Sequence, residues 1–270
     1  MTKEIYNWIL DPASRCVSLL SDAMMLNSLL TRSVVAANGQ RGLLTLARGV
    51  VLRKNERAAV ASFDRLIEAQ ELIEVHAREL IETDFHALNI QGTISMWVAI
   101  EVAVEDTVIA VLMNDEVLAR QIIAGFAKGK PDIPPGPLNA DSANLLFKRM
   151  ERAARDQPTV TDAYCWLLAQ VGVQLQLSDE ESSVLTELYC VRNCIMHRGG
   201  IVDSEVVAKA PKLGVVRNDQ IRIDKACYHR YIDAGNKFAV KLLGAVLASP
   251  YIQTKSDAAH PSPAIPPQNP

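Results

Sequence analysis

Two long amphipathic runs constrain this chain more than any other feature. From Ala58 to about Leu88, Val60, Phe63, Ile67, Ile73, Leu80 and Phe85 recur at three- and four-residue steps with charges between them. That is the period of a helix that buries one face. Gly92 punctuates, and Thr93 to Leu118 forms a second run around Trp97, Ile100, Val104, Val108 and Val111. Both exceed the roughly 11–12 residues of an average globular helix, which favours a bundle over a compact α/β fold.

The remaining segments fit the same reading. Residues 1–57 form a mixed helical segment ending in the cluster Arg53-Lys54-Asn55-Glu56-Arg57. Gly125 to Ala140, with prolines at 131, 134, 135 and 137, reads as a loop, and two shorter helices follow near 142–156 and 161–174. Ser178-Asp179-Glu180-Glu181 fits a capping box, so a helix starts there. Gly199-Gly200 offers it a left-handed end. Val215 to Ile223 alternates as a short β-hairpin would, turning at Asn218-Asp219. A final helix covers about 224–248, and the Pro-, Ala- and Ser-rich stretch from Gln253 reads as disordered. The expectation is an all-α helical bundle with a short β-hairpin before the last helix. It divides into an N-terminal helical extension (1–57), a main helical domain (58–252) and a tail (253–270).

Half of the 270 residues are hydrophobic, enough for a sizeable core. The net charge of -3 excludes strong whole-chain attraction to nucleic acid, though not a local patch. From Leu188 to Lys241 there are ten Lys/Arg against five Asp/Glu. The five cysteines are odd in number and lack framework spacing. The first residues lack a signal-peptide pattern, and no apolar run approaches the ~20 residues of a membrane span. These features point to a reduced, cytoplasmic protein without a membrane partner.

The densest chemistry lies in Arg192-Asn193-Cys194-Ile195-Met196-His197-Arg198-Gly199-Gly200-Ile201-Val202-Asp203. On a helix, Tyr189, Asn193 and His197 stack in a row with Arg192 beside Asn193. Val184, Leu188, Val191 and Ile195 form an apolar face that would hold the helix in the bundle. Arginine is a permanent cation whose fork of donors suits phosphate, and histidine moves protons near neutral pH. The bland alternative is that Arg192 pairs with an acidic neighbour and His197 serves as a helix-end cation.

Arg192-Asn193-x-x-x-His197, with the continuation Gly200-Ile201-Val202-Asp203 and the earlier Trp97-Val98-Ala99-Ile100-Glu101 helix, resembles the HEPN family of all-α domains. The likeness covers roughly residues 58–248. It implies a metal-independent endoribonuclease with no cofactor, working as a homodimer whose two motifs face each other in one composite site. By that resemblance His197 is the general base at the ribose 2′-OH or the acid at the leaving oxygen, Arg192 stabilises the phosphorane charge, and Asn193 orients the phosphate or its partner His. Arg198 and Arg222 are candidate phosphate contacts on charge and position. Glu101 and Tyr189 are candidate supporting residues. RNA is the implied substrate, and an antitoxin protein a candidate partner in a toxin–antitoxin, phage-defence or stress system. The same family includes non-catalytic interaction and nucleotide-binding scaffolds, so that reading stands beside the first.

Other patterns carry less. Cys190, Cys194 and His197 share a helix face and with Cys227 or His229 could make a zinc site, although structural zinc usually draws on loop C-x-x-C pairs. Glu101 and Glu105 lack the Glu-x-x-His partners of a di-iron bundle. Gly125 to Pro131 is one residue short of a phosphate loop and has proline in place of the hydroxyl. His76 and His86 read as surface or partly buried residues.

Overall fold

The computed structural model describes residues 8–54, 56–126 and 137–252, and those residues form an all-α fold. Nine α-helices follow in order: α1 (Leu10–Arg53), α2 (Arg57–Glu82), α3 (His86–Asn114), α4 (Glu116–Phe126), α5 (Ala140–Ala154), α6 (Val160–Gln170), α7 (Asp179–Arg198), α8 (Ser204–Lys209) and α9 (Lys225–Leu247). No strand occurs among the described residues. The disordered tail expected from Gln253 on, and most of the proline-rich loop, lie outside them.

Helix α3 is the axis of the bundle and touches α1, α4, α5, α6, α7 and α9. Its apolar residues are not confined to one stripe, because it is covered on nearly every side. Met96, Trp97, Ile100, Val104, Val108, Val111 and Leu112 are all fully buried. A helix apolar all round belongs in an interior.

Gly92 does not punctuate. It lies inside α3, and a Cβ there would collide with the Tyr228 ring and hydroxyl of α9. Glycine lets these two helices close on each other, and the segments either side remain one helix. Asp115, at the far end, interrupts the run that was expected to reach Leu118; its Oδ1 accepts from the Leu118 N–H at 2.9 Å and starts α4.

Among the described residues before α2, Leu10–Arg53 form one helix of 44 residues, α1. Ile9, Ala13, Cys16 and Leu20 enter the core shared with α3 and α9. Beyond Leu20, α1 has no fully buried residue. Its second half lies against α2 as one arm of a helical hairpin.

The expected β-hairpin over Val215–Ile223 does not form. Asn218 takes a left-handed φ of +73°, as a turn there requires, but the flanking segments bond elsewhere. Val202 N–H donates to the Asp219 carbonyl (2.8 Å), Asn218 N–H to Val202 (2.8 Å) and Ile221 N–H to Gly200 (2.8 Å). The result is one antiparallel bridge, Ile201 to Gln220, that ties the end of α7 to the approach of α9. Short-range alternation lost to pairing with a segment about twenty residues upstream.

Candidate functional site

Helix α7 holds the motif, and its ends are built as expected. Ser178 Oγ accepts from the Glu181 N–H at 3.3 Å, and Glu181 Oε2 accepts from the Ser178 N–H at 2.7 Å, closing the capping box. Asp179, Glu180 and Glu181 sit on the first turn, His197 and Arg198 on the last. This charge order suits the helix dipole. Gly199 and Gly200 then take φ of +60° and +82°. Gly200 has a second constraint, since a Cβ would lie 2.5 Å from Gln220 Nε2, which itself donates to the Gly199 carbonyl at 3.0 Å.

The apolar face anchors the helix: Val184, Leu188 and Val191 are buried, and Ile195 packs against the core. Arg192 leaves this seam half-buried. Its Nη2 lies 3.4 Å from Glu101 Oε2 on α3, and its Nη1 donates to Asn193 Oδ1 at 2.9 Å. Its Nε is buried with no hydrogen-bond partner among the described residues. The guanidinium is thus aimed and partly engaged from within the protein.

His197 is exposed. It shares a polar cleft of about 200 Å³ with Asn193, Cys190, Cys194, Arg198 and Asp203. Arg198 does not reach freely into solvent there, because its Nε pairs with Asp203 Oδ2 at 3.1 Å. Asp203 also caps α8, accepting from the Val206 N–H at 2.9 Å. That hydrogen bond, with Arg198 beside it, holds the Asp203 carboxyl below its usual range.

Tyr189 turns away from His197. Its ring meets Trp97 at 5.1 Å, and Trp97 stacks on Tyr164 at 5.7 Å. Tyr189, Tyr164 and Glu101 line a second, larger cleft of about 350 Å³. Glu205 borders both clefts, so α8 forms the ridge between them. Arg222 is exposed at the start of α3 beside His86, and does not line either cleft. The structure therefore brings Arg192, Asn193 and Glu101 together, sets His197 and Arg198 in the adjoining cleft, and leaves Arg222 apart.

The thiols considered for zinc are each engaged within the chain. Cys194 Sγ donates to the Ile201 carbonyl at 2.9 Å, while Cys227 lies against Arg230. Burial raises the Cys190 thiol to about 11 and the Cys16 thiol to about 12. Both pack as small apolar side chains. Among the described residues, no group of three or more His, Cys, Asp or Glu is arranged to hold a metal ion. Nor is any helix of those residues long and apolar enough to cross a membrane.

Sequence reasoning missed two participants. Helix α8 was unassigned, although Asp203-Ser204-Glu205 carries the signal of a capped start. Glu187, on the motif helix, is buried and binds Arg230 through both carboxylate oxygens, with Tyr231 Oη donating to Oε1 at 2.9 Å. A lone acid in an apolar run was the signal.

Comparison of the chain with protein-family models, with curated proteins and with solved structures returned no match.

Proposed function

We propose that this chain is a metal-independent endoribonuclease of HEPN type, acting as a homodimer in the cytoplasm. The carrying observation is an exposed His197 that shares a polar cleft with Asn193, whose side chain also contacts the Glu101-held Arg192. In the proposed reaction the ribose 2′-oxygen attacks the adjacent phosphorus and the bond to the 5′-oxygen breaks. One copy's imidazole takes the 2′ proton and the other copy's gives a proton to the leaving oxygen. Arg192 faces the charge that builds on the phosphorane. The products are a 2′,3′-cyclic phosphate and a 5′-hydroxyl. The setting would be a toxin–antitoxin, phage-defence or stress system, with an antitoxin protein as partner.

One observation favours a second reading. Arg192 already has a carboxylate and an amide oxygen as partners inside the chain, which is what an interaction or nucleotide-binding scaffold would need and no more.

Expression of the wild type beside His197→Ala and Arg192→Ala, with mapping of cellular RNA ends, separates the two. Growth arrest with cyclic-phosphate ends, lost in both variants while folding persists, supports the ribonuclease. Identical behaviour of all three proteins with no cleavage gives the scaffold.

A further inference from the structure

Helix α1 carries two seams at the alternating three- and four-residue spacing of a coiled coil, and one of them has no partner among the described residues. The inner seam faces α2 and is mixed, with half-buried Val34, Leu44 and Ala47 lying among polar side chains. Arg48 pairs with Asp64, Arg41 lies 3.4 Å from Glu71 and 3.6 Å from Glu74, and Gln70 Nε2 donates to the Ala37 carbonyl at 3.1 Å. The outer seam runs along positions 22, 25, 29, 32, 36, 39, 43, 46, 50 and 53, and every one of these is exposed. Its Met25, Leu29, Leu43, Leu46 and Val50 are 54 to 71 % exposed. An apolar stripe this exposed, on a helix already paired along its other side, is an uncovered surface among the described residues.

We infer that this outer face docks a second copy of the chain, α1 against α1 and antiparallel. The seam is a near-palindrome, since four of its five reversed position pairs match in size or oppose in charge. Reversed about a centre between Ala36 and Gly39, it puts Met25 opposite Val50 and Leu29 opposite Leu46. The smallest pair, Ala36 and Gly39, falls at the centre, where crossing helices approach most closely. A Cβ on Gly39 would meet nothing within 4 Å in a single copy. At the two ends Asp22 falls opposite Arg53, an acid against a base. Arg32 falls opposite Leu43 and can lay its aliphatic stem there while its charge stays in water.

Self-complementarity under a twofold is the requirement of an isologous dimer. An unrelated partner imposes no such symmetry, so the near-palindrome points to a copy. At 1.5 Å per residue the seam extends about 46 Å, long enough for an interface of standard size. The surface lies outside the Arg192–His197 motif and does not depend on the ribonuclease reading.

Light scattering on the full chain, at micromolar concentration after size exclusion, tests this. The expected mass is an even multiple of one chain, and Leu46→Lys halves it without loss of far-UV helicity. Asp22→Arg lowers the fraction in the larger species, and Asp22→Arg combined with Arg53→Asp restores it. His197→Ala leaves the mass unchanged, so failure here is separable from failure of the ribonuclease reading. A single-chain mass for the wild type overturns the proposal, as does a larger mass that Leu46→Lys leaves alone.

Discussion

Arg192 and Glu101 meet between α7 and α3, Nη2 to Oε2 at 3.4 Å, with the carboxylate drawn from 91 residues upstream. Their side chains are 20 % and 40 % exposed, so the pair contributes at most about 1 kcal/mol to folding. Its larger effect is to aim the guanidinium. Glu101→Gln is expected to move the midpoint of thermal unfolding by less than about 4 °C. The ribonuclease reading has the same variant lower RNA cleavage by roughly tenfold or more, a loss of about 1.4 kcal/mol of transition-state stabilisation. Calorimetry and a cleavage assay on the same preparation check both.

Glu187 is the reverse case. Its side chain is only 2 % exposed and satisfies Arg230 and Tyr231 together. Glu187→Ala leaves a partly exposed cation and a buried hydroxyl without their acceptor. The expected cost is about 2–3 kcal/mol, read from the midpoint of urea unfolding. Tyr231→Phe removes one hydrogen bond and should cost only about 1 kcal/mol.

His86 makes folding sensitive to acid. Its Nδ1 accepts from the Ile223 N–H at 2.9 Å, which requires that nitrogen to be unprotonated. Burial, with Arg222 nearby, lowers its pKa below the usual 6.5. The folded state thus binds the proton less readily than the unfolded one. The contribution of His86 is complete above about 6.5 and is lost as the pH falls through that value toward the lower folded-state pKa. Unfolding measured between pH 7.5 and 5 should show this loss, and His86→Gln should flatten that part of the profile.

Two glycines of the bundle should respond oppositely to alanine. At Gly92 the added methyl meets Tyr228, which is 3 % exposed and cannot swing aside. Gly92→Ala should cost about 1–3 kcal/mol. At Gly244 in α9 nothing lies within 4 Å, so Gly244→Ala should stabilise by up to about 1 kcal/mol through helix propensity. Thermal unfolding of the two variants gives opposite signs.

What was legible in the sequence was local. Ser178 with Glu181, and Gly199 with Gly200, mark both ends of α7 because caps are written in adjacent residues. The long helix around Trp97 was legible from its unbroken apolar content, which burial on nearly every side requires. Misreadings came where a distant segment decided the outcome. Gly92 looks like a break until Tyr228 is placed against it, and Val215 to Ile223 looks like a hairpin until Gly200 and Val202 supply its hydrogen bonds. Helix α1 hid its pattern because two seams share one helix, so no single apolar stripe stands out. At the site, the Arg192, Asn193 and His197 spacing was legible. The pairing of Arg198 with Asp203, and the removal of Arg222 from the cleft, depend on tertiary placement.

The bridge between Ile201 and Gln220 also has a consequence in time. The turn after His197 and Arg198 is held by Asp219, Gln220 and Ile221, which leave the ribosome about twenty residues later. At 5–20 residues per second this is a delay of roughly 1–4 s. During synthesis α7 therefore emerges with an unlatched end. A nascent chain that stalls short of Asn218 carries the whole motif in sequence, yet lacks the latch that fixes its last turn.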